Sequence, residues 1–360
     1  MRSGIAFALV AAAAVTAAAQ QPQIQNGRVE TRQASSISSE IATLGAASAD
    51  PIWVAWREPI ADGRRGGCNW YSDDVNSIGI RGVVIESDNG PYKPPQLTAP
   101  TGAVPLEAGT NVVILARISN KRVERLRTFG DDCPLDANGR TVYWLNGVTP
   151  AESLKFLETL THPDYATMVR SGADSLVSSA LSAIASHRDP AADAMLDKLA
   201  ADPDSSLRRQ AMRQLVDNRG AHGFETVRRL LDTEKNPDVR RSLVSSLAQS
   251  RQPQTADVLL ALARNDSDES IRADAVYYLP ARGGVKMVPE ILKLLGSDGS
   301  TKVRQRAVDG IATLPADTAL PALIQLARDS RDVVVRKQAV SALGRSKDPR
   351  AVGALQELLK

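Results

Sequence analysis

The chain has 360 residues, and its formal charge of +3 arises from 44 basic and 41 acidic residues. This near-balance gives no general argument for binding nucleic acid or an anionic membrane. Aromatic residues make up only 4% of the chain, which is low for stacking on bases or sugars, whereas a hydrophobic content of 43% supports a folded protein. The length allows about two domains.

Residues 1–19 have the pattern of a secretory signal peptide. Arg2 gives a basic start, an alanine-rich apolar run extends from Ile5 to Val15, and Ala17 to Ala19 fit the small-residue cleavage pattern. A membrane anchor is the alternative, but the apolar run is shorter than the roughly 20 residues that a spanning helix needs. The sequence therefore predicts cleavage after Ala19, a periplasmic or secreted protein, and no membrane span.

Two regions of different composition follow. Residues 20–50 are rich in Gln, Ser, Ala and Thr, which predicts a mostly flexible lead-in with one weak helix around Ser38 to Leu44. Residues 51–148 predict a small β-rich domain, because apolar and aromatic runs alternate with turn-forming residues. The strand-like runs are Ile52–Trp56, Gly79–Glu86, Asn111–Ile118, Val123–Phe129 and Thr141–Leu145, with a hairpin connection at 119–122.

The β-rich region contains the two cysteines of the chain, Cys68 and Cys133. In an exported protein they predict one disulfide, and two separate buried thiols are the alternative. The disulfide would close a loop of about 65 residues and stabilise the fold by roughly 4 kcal/mol. No other cysteine and no nearby histidine is available, so no metal site is expected.

A connecting helix is predicted within residues 149–170. Thr149 is suited to the N-cap, Pro150 to the first helical position, and Glu152 completes a capping box. Leu154, Leu157 and Leu160 give this helix an apolar side.

Residues 171–360 carry a repeat of 32 residues. Apolar triplets such as Val227, Leu230 and Leu231 recur with this period, and their spacings of 3 and 4 place them on one helix face. One helix pair cannot bury such a face, so six pairs are predicted to stack into a solenoid. The predicted fold class is therefore α+β, with a small β-rich domain before an all-α solenoid. The same period appears in five arginines that each follow an apolar residue: Arg208, Arg240, Arg272, Arg304 and Arg336.

These repeats resemble the HEAT-repeat family, in the short form shared with phycobilin-lyase-type repeats, over a little over half of the chain. The family pattern also has an acidic residue six positions before the arginine; here these positions hold Asp202, Glu234, Asp266, Asp298 and Ser330. The resemblance implies a solenoid whose second helices line its concave side. We interpret the arginine and acid ladder as structural, with the acid capping its helix and the arginine pairing with a neighbouring unit's carboxylate.

The family includes enzymes, but the sequence contains none of the catalytic motifs sought. Hydroxylases of the deoxyhypusine type carry His-Glu pairs that bind two irons, whereas His162, His187 and His222 are not followed by Glu. The acid pairs Asp73-Asp74 and Asp131-Asp132 are typical of solvated turns. The sequence thus predicts a protein that is not an enzyme and needs no cofactor or metal. The alternative is an enzyme or accessory lyase acting on a small molecule held by the β-rich domain.

Basic residues recur on the second helices along one predicted stripe. They predict a mildly cationic groove that accepts an acidic segment of a protein or peptide partner, and an ordinary solvated face is the alternative. The candidates are Lys198, Arg229, Arg264, Lys293 and Arg328.

Three further clusters have simpler expected roles. Basic residues from Arg117 to Arg127 span the predicted hairpin and fit protection of a strand edge. Trp53, Trp56, Trp70 and Tyr71 are expected in the core of the small domain. Apolar residues near the C-terminus, such as Val352, leave self-association through the last repeat as an alternative. The leading hypothesis is an exported interaction scaffold with a protein or peptide partner and no nucleic acid.

Overall fold

A computed structural model describes residues 23–61, 83–86, 109–161 and 176–358. The chain divides into two compact units: Met1–Glu58 with Arg65–Thr149, and Pro59–Arg64 with Pro150–Lys360. The predicted signal peptide, Cys68, Trp70 and Tyr71 lie outside the described residues. The predicted fold class is confirmed, because the first unit contains two small sheets and the second consists of paired helices.

The first unit is built around a five-stranded sheet. In sheet order, its strands are β2 (Arg28–Gln33), β8 (Thr141–Asn146), β3 (Ile52–Pro59), β5 (Asn111–Ser119) and β6 (Arg122–Gly130). The interior strands β3 and β5 are buried along most of their length, which explains their nearly continuous apolar runs. β2 and β3 pair with β8 in parallel, and β5 and β6 form an antiparallel hairpin.

A second, three-stranded parallel sheet joins short segments that are distant in sequence. Its order is β1 (Ile24–Gln25), β7 (Leu135–Asp136) and β4 (Val83–Val84). The core of the unit includes Trp53, Trp144 and Cys133, each at most 1% exposed. Trp56 is also fully buried, so both described members of the predicted aromatic cluster are core residues.

Residues 23–50 do not form a mostly flexible lead-in, although the helix that the sequence predicts around Ser38 to Leu44 is present. β2 pairs with β8 along all of its 6 residues, and helix α1 (Ile37–Ala47) buries Ile37 and Leu44. Ser36 begins this helix by accepting a hydrogen bond from the Ser39 N–H at 3.3 Å. The prediction failed because β2 is a polar edge strand whose pairing partner lies far along the chain.

The turn between β5 and β6 lies where the sequence predicts a hairpin connection. Asn120 and Lys121 have φ values of 50° and 60°, in the left-handed region. A two-residue turn with both central residues in this region matches the twist of the flanking strands.

The described part of the second unit contains a connecting helix and six helix pairs, the number that the 32-residue period predicts. None of its described helices is long and apolar enough to cross a membrane. The connecting helix is α2 (Pro150–Thr159). The pairs are α3 (Leu176–Ser186) with α4 (Ala191–Leu199), α5 (Ser205–Asn218) with α6 (Gly220–Thr233), α7 (Pro237–Gln249) with α8 (Thr255–Asn265), α9 (Glu269–Gly283) with α10 (Val288–Ser297), α11 (Thr301–Ala312) with α12 (Ala316–Asp329), and α13 (Val333–Arg345) with α14 (Pro349–Leu358).

A buried polar pair joins α2 to the end of α3. His187 Nε2 lies 2.9 Å from Ser153 Oγ, and His187 Nδ1 lies 2.9 Å from the carbonyl oxygen of Ala183. Because a carbonyl can only accept, we assign the ring proton to Nδ1, and Nε2 accepts from the Ser153 hydroxyl. Burial lowers the pKa of His187 to about 4, so the ring is neutral at pH 7.

The segment that follows β3 pairs with the chain beside this histidine. The Ala61 N–H donates to the Ser186 carbonyl at 2.8 Å, and the Arg188 N–H donates to the Pro59 carbonyl at 2.9 Å. The start of the repeat array is therefore held by α2 and by a short bridge around Ile60.

His187 predicts that acid destabilises the helical unit. Between pH 6.5, the ordinary pKa, and about 4, the unfolded chain binds a proton that the folded chain does not. The contribution of His187 to folding is complete above this window and falls by roughly 3 kcal/mol as the pH drops through it. Urea unfolding at pH 7.5 and pH 4 should show a smaller pH dependence for His187→Gln than for wild type.

The exposed His222, which contacts Asp197 at 3.1 Å, provides the control. His222→Gln should keep the wild-type pH dependence. Equal pH dependence in His187→Gln and wild type would contradict the assignment.

Candidate binding surface

The ladder arginines connect each helix pair to the next pair. Each guanidinium reaches an acidic side chain in the loop before the next first helix, and both side chains of each pair are less than one-third exposed. Ion pairs of this kind fix the distance and rotation between stacked units. The pairs are Arg208–Glu234, Arg240–Asp266, Arg272–Asp298 and Arg304–Asp332, at 2.8 to 3.0 Å.

Three of these arginines, Arg208, Arg272 and Arg304, also donate to the backbone of the loop before their own helix, whereas Arg240 donates to the Leu231 carbonyl of the preceding second helix. Arg272 Nη1 lies 2.8 Å from the Asp266 carbonyl oxygen, and Arg304 Nη1 lies 2.9 Å from that of Asp298. In the last described pair, Arg336 Nη1 makes the corresponding hydrogen bond to Ser330 at 2.6 Å. The rungs of Arg208, Arg272 and Arg304 therefore each tie a loop to its own helix and to the following unit.

The acids of the ladder do not cap the first helices, contrary to the prediction. The cap is the residue four positions before the arginine, such as Asp268, whose side chain accepts from the Ser270 N–H at 2.7 Å. Asp266 instead accepts from the Asp268 N–H at 2.9 Å. Where Ser330 replaces the acid, Arg304 pairs with the capping residue Asp332.

Charge balance keeps the ladder carboxylates ionised. Burial works to raise the pKa of Asp298, but hydrogen bonds from Arg272 and from the Ser300 N–H outweigh it and lower the pKa. The hydrogen bond to Asp298 in turn raises the pKa of Arg272. The two side chains thus stabilise each other's charged form within the array.

Removing one rung should destabilise the array. Arg272→Gln leaves the carboxylate of Asp298, whose side chain is 8% exposed, without its guanidinium. We expect the free energy of unfolding to fall by about 1–3 kcal/mol. Urea unfolding followed by circular dichroism at 222 nm measures the change.

Arg229→Gln is the matched control, because Arg229 is exposed and forms no ion pair among the described residues. We expect a change of less than about 0.5 kcal/mol. Equal losses in the two variants would show that the rung adds no stability.

The five predicted partner-binding residues are exposed, but most of them have acidic neighbours. Lys198 Nζ lies 2.8 Å from Glu158 Oε1, and Arg328 Nη2 lies 3.9 Å from Glu357 Oε2. The surface is therefore less cationic than the sequence predicts. These residues lie on five successive second helices: Lys198 on α4, Arg229 on α6, Arg264 on α8, Lys293 on α10 and Arg328 on α12.

Positive charge exceeds negative charge around Glu290 on α10. Its carboxylate is contacted both by Arg264, from the preceding second helix, and by Lys293 at 2.9 Å. The hydrogen bonds from Lys293 and Arg264 lower the pKa of Glu290, so it carries a full negative charge at pH 7. Two cations share one carboxylate here, which leaves one positive charge without a matching acid.

An apolar row beside these charges escaped the sequence analysis. Leu260, Leu292 and Ile324 occupy the same repeat position on α8, α10 and α12. Leu292 is 36% exposed, and the other two are half-buried. In the units on either side this position holds Arg228 and Gln356. The row follows the same period of 32 as the buried triplets, so the period is the sequence signal that identifies it.

The basic cluster near the β5–β6 hairpin is largely paired. Arg117 Nε lies 2.9 Å from Glu86 Oε2, and Arg117 Nη1 lies 2.5 Å from Glu124 Oε2. Arg140 reaches Glu86 from the start of β8 at 3.1 Å. Arg122, Arg125 and Arg127 also have contacts. The cluster connects segments of the first unit and presents no free cationic patch in the described part of the chain.

Other candidate reactive groups do not form an open site. Ser153 and His187 are hydrogen-bonded but at most 1% exposed, so a substrate cannot reach the hydroxyl in this conformation. No three His, Cys, Asp or Glu residues in the described ranges are placed to hold a metal ion. A cavity of about 200 Å³ near α12 and α13 is lined by alanines, three leucines, Arg345 and Ser346, and it is smaller than typical ligand sites.

Residues 192–280 and 288–360 match a family model of HEAT repeats. The C-terminal region of this chain therefore contains HEAT repeats. The matched residues include all five ladder arginines. Comparison with curated proteins gives no match.

Three solved structures with similar helical repeats span different shares of the chain. YibA of Escherichia coli is 24% identical over 47% of this chain and 64% of its own, with a TM-score of 0.33. This chain therefore spans less than two thirds of that protein. The complex of CpcE and CpcF of phycocyanin lyase from Nostoc sp. PCC7120 is 20% identical over 43% and 99%, with a TM-score of 0.34. Human deoxyhypusine hydroxylase is 16% identical over 57% and 90%, with a TM-score of 0.29.

The prediction that this protein is not an enzyme is wrong. That prediction relied on the absence of familiar catalytic motifs from a HEAT array. Phycocyanin lyase and deoxyhypusine hydroxylase are both enzymatic proteins of this helical type. The similarities are distant and assign no reaction to this chain.

Proposed function

We propose that this protein is exported and binds another protein through the second-helix surface of its HEAT repeats. The observation that carries the proposal is a division between two sets of charged residues. The ladder arginines recur in five of the six described helix pairs, and four of them form ion pairs within the array. The charges on the second helices differ from unit to unit and remain exposed. HEAT repeats commonly mediate protein interactions.

The proposed partner presents acidic groups to this surface. Arg229, Arg264, Lys293 and Arg328 lie on four successive second helices, which suits an extended contact rather than a pocket. Exposed charges at the edge of an interface steer the association of two proteins and select partners of opposite charge. The neighbouring acids Glu290 and Glu357 would exchange their present contacts for contacts with the partner.

Export is the second part of the proposal. Its support is the basic start, apolar run and small-residue cleavage pattern of the first 19 residues. Two cysteines in the first unit fit an oxidising compartment, and Cys133 is fully buried in the core of that unit.

Charge reversal on the second helices should weaken partner capture. The partner is first isolated with the full chain from the exported fraction and identified by mass spectrometry. Arg229, Lys293 and Arg328 are then changed together to Glu, and we expect the Kd to rise by at least about tenfold. Surface plasmon resonance at low and moderate salt measures the change.

The control reverses three exposed basic residues of the first helices, Arg213, Lys302 and Lys337, and should keep the wild-type Kd. Capture that is unchanged at low salt in the second-helix variant would refute the proposed surface. Retained circular dichroism in both variants shows that neither effect reflects unfolding.

Export and the disulfide can be tested on the same preparation. We expect the exported chain to begin at Gln20, and alkylation in denaturant to label Cys68 and Cys133 only after reduction. Reduction should lower the free energy of unfolding of the first unit by roughly 4 kcal/mol. Labelling of both thiols without reductant, or retention of the intact leader in the cytoplasm, would contradict these expectations.

A further inference from the structure

We infer that the binding surface has a defined centre on α8, α10 and α12 that receives an acidic segment with apolar side chains. We call this centre the Leu292 patch and define it by Leu260, Pro289, Leu292, Pro321 and Ile324. The inference rests on the proposed function and adds the location of the contact and the chemistry of the partner segment.

The patch is apolar across neighbouring helices. Pro289 and Pro321 are exposed and precede Leu292 and Ile324 by three residues, so each proline lies on the same helix face as the residue that follows it. Val285, in the turn before α10, is 58% exposed. Single exposed apolar residues are ordinary on a protein surface, but these residues share repeat positions on successive helices.

The border of the patch is positively charged. Arg264 and Lys293 share the single carboxylate of Glu290, whose side chain is only 24% exposed. Lys286, beside Val285, is exposed and forms no ion pair within the described residues. Of the acids at the helix starts, Asp317 pairs with Arg350 at 2.8 Å, and Asp257 lies at the far end of α8. The charge around Leu292 therefore complements Asp or Glu side chains.

The repeat geometry limits the length of the partner segment. The polar residues Arg228 and Gln356 end the apolar row on either side, so it spans three helices. Packed helices lie about 8–10 Å apart, which makes the row about 16–20 Å long. A segment in the polyproline II conformation advances about 3.1 Å per residue with three residues per turn, so about six residues cover the row and every third side chain lies on the same face. Apolar side chains about three residues apart would meet successive helices, with acidic residues between them.

The probe is a fluorescein-labelled peptide of ten residues with Leu at every third position and Glu at the others. Fluorescence anisotropy with the full chain measures the Kd. We expect a peptide with Lys in place of Glu, and one with Ser in place of Leu, each to bind at least tenfold more weakly. Equal affinity for all three peptides would overturn the inference.

Leu292→Ser tests the location. Because Leu292 is on the surface, this variant should fold, and we expect peptide binding to weaken at least fivefold. Val333→Ser is the control, since Val333 is 50% exposed on the first helix α13, and its affinity should equal that of wild type. Equal weakening in both variants, or in neither, would overturn the assigned location.

The isolated partner separates this inference from the proposed function. Loss of capture on reversal of Arg229, Lys293 and Arg328, together with full capture by Leu292→Ser, would overturn the patch and leave the second-helix surface standing. Loss in both variants supports both. A dimer in sedimentation velocity that Leu292→Ser dissociates would identify a second copy as the occupant and overturn the acidic segment.

Discussion

Each helix pair exposes an apolar face that only the next pair can cover. Val244, Val276 and Val308 occupy one repeat position and are completely buried, because a following unit packs over each of them. Stacking supplies most of the burial in such an array, while the arginine rungs set how one unit is turned against the next. The 32-residue period follows from this constraint, since every unit must present the same two faces.

The same constraint separates structural from functional residues. A position that contacts a neighbouring unit has to suit that neighbour, so it recurs with the period, as Arg272 and its partner Asp298 show. Positions on the outer side of the second helices are not buried by the following unit and can differ from one unit to the next. Arg228, Leu292 and Gln356 share one such position. Variation there, rather than recurrence, marks the candidate binding surface.

The parts of the structure that depend on local patterns could be predicted from the sequence. The six helix pairs and most strand positions follow from periodicity and turn residues close in the chain. β2 and the small sheet could not be found this way, since Ile24 pairs with Leu135 in parallel and no local signal links them. The role of the ladder acids was misassigned because Asp266 and Asp268 are both suitable caps, and only the backbone path distinguishes them.

The charge of the candidate site was harder to predict than its position. Counting bases along one helix face ignores acids that come from the next unit, and Glu290 neutralises part of Arg264 across such a junction. The net charge of a solenoid surface is therefore a property of adjacent helices together. It depends on the rungs, because Asp266 directly follows α8 and Asp298 directly follows α10. The ladder holds the ends of these two helices and so fixes the distance between Arg264, Glu290 and Lys293. The stacking interaction and the proposed binding surface are physically coupled through the loops that carry the ladder acids.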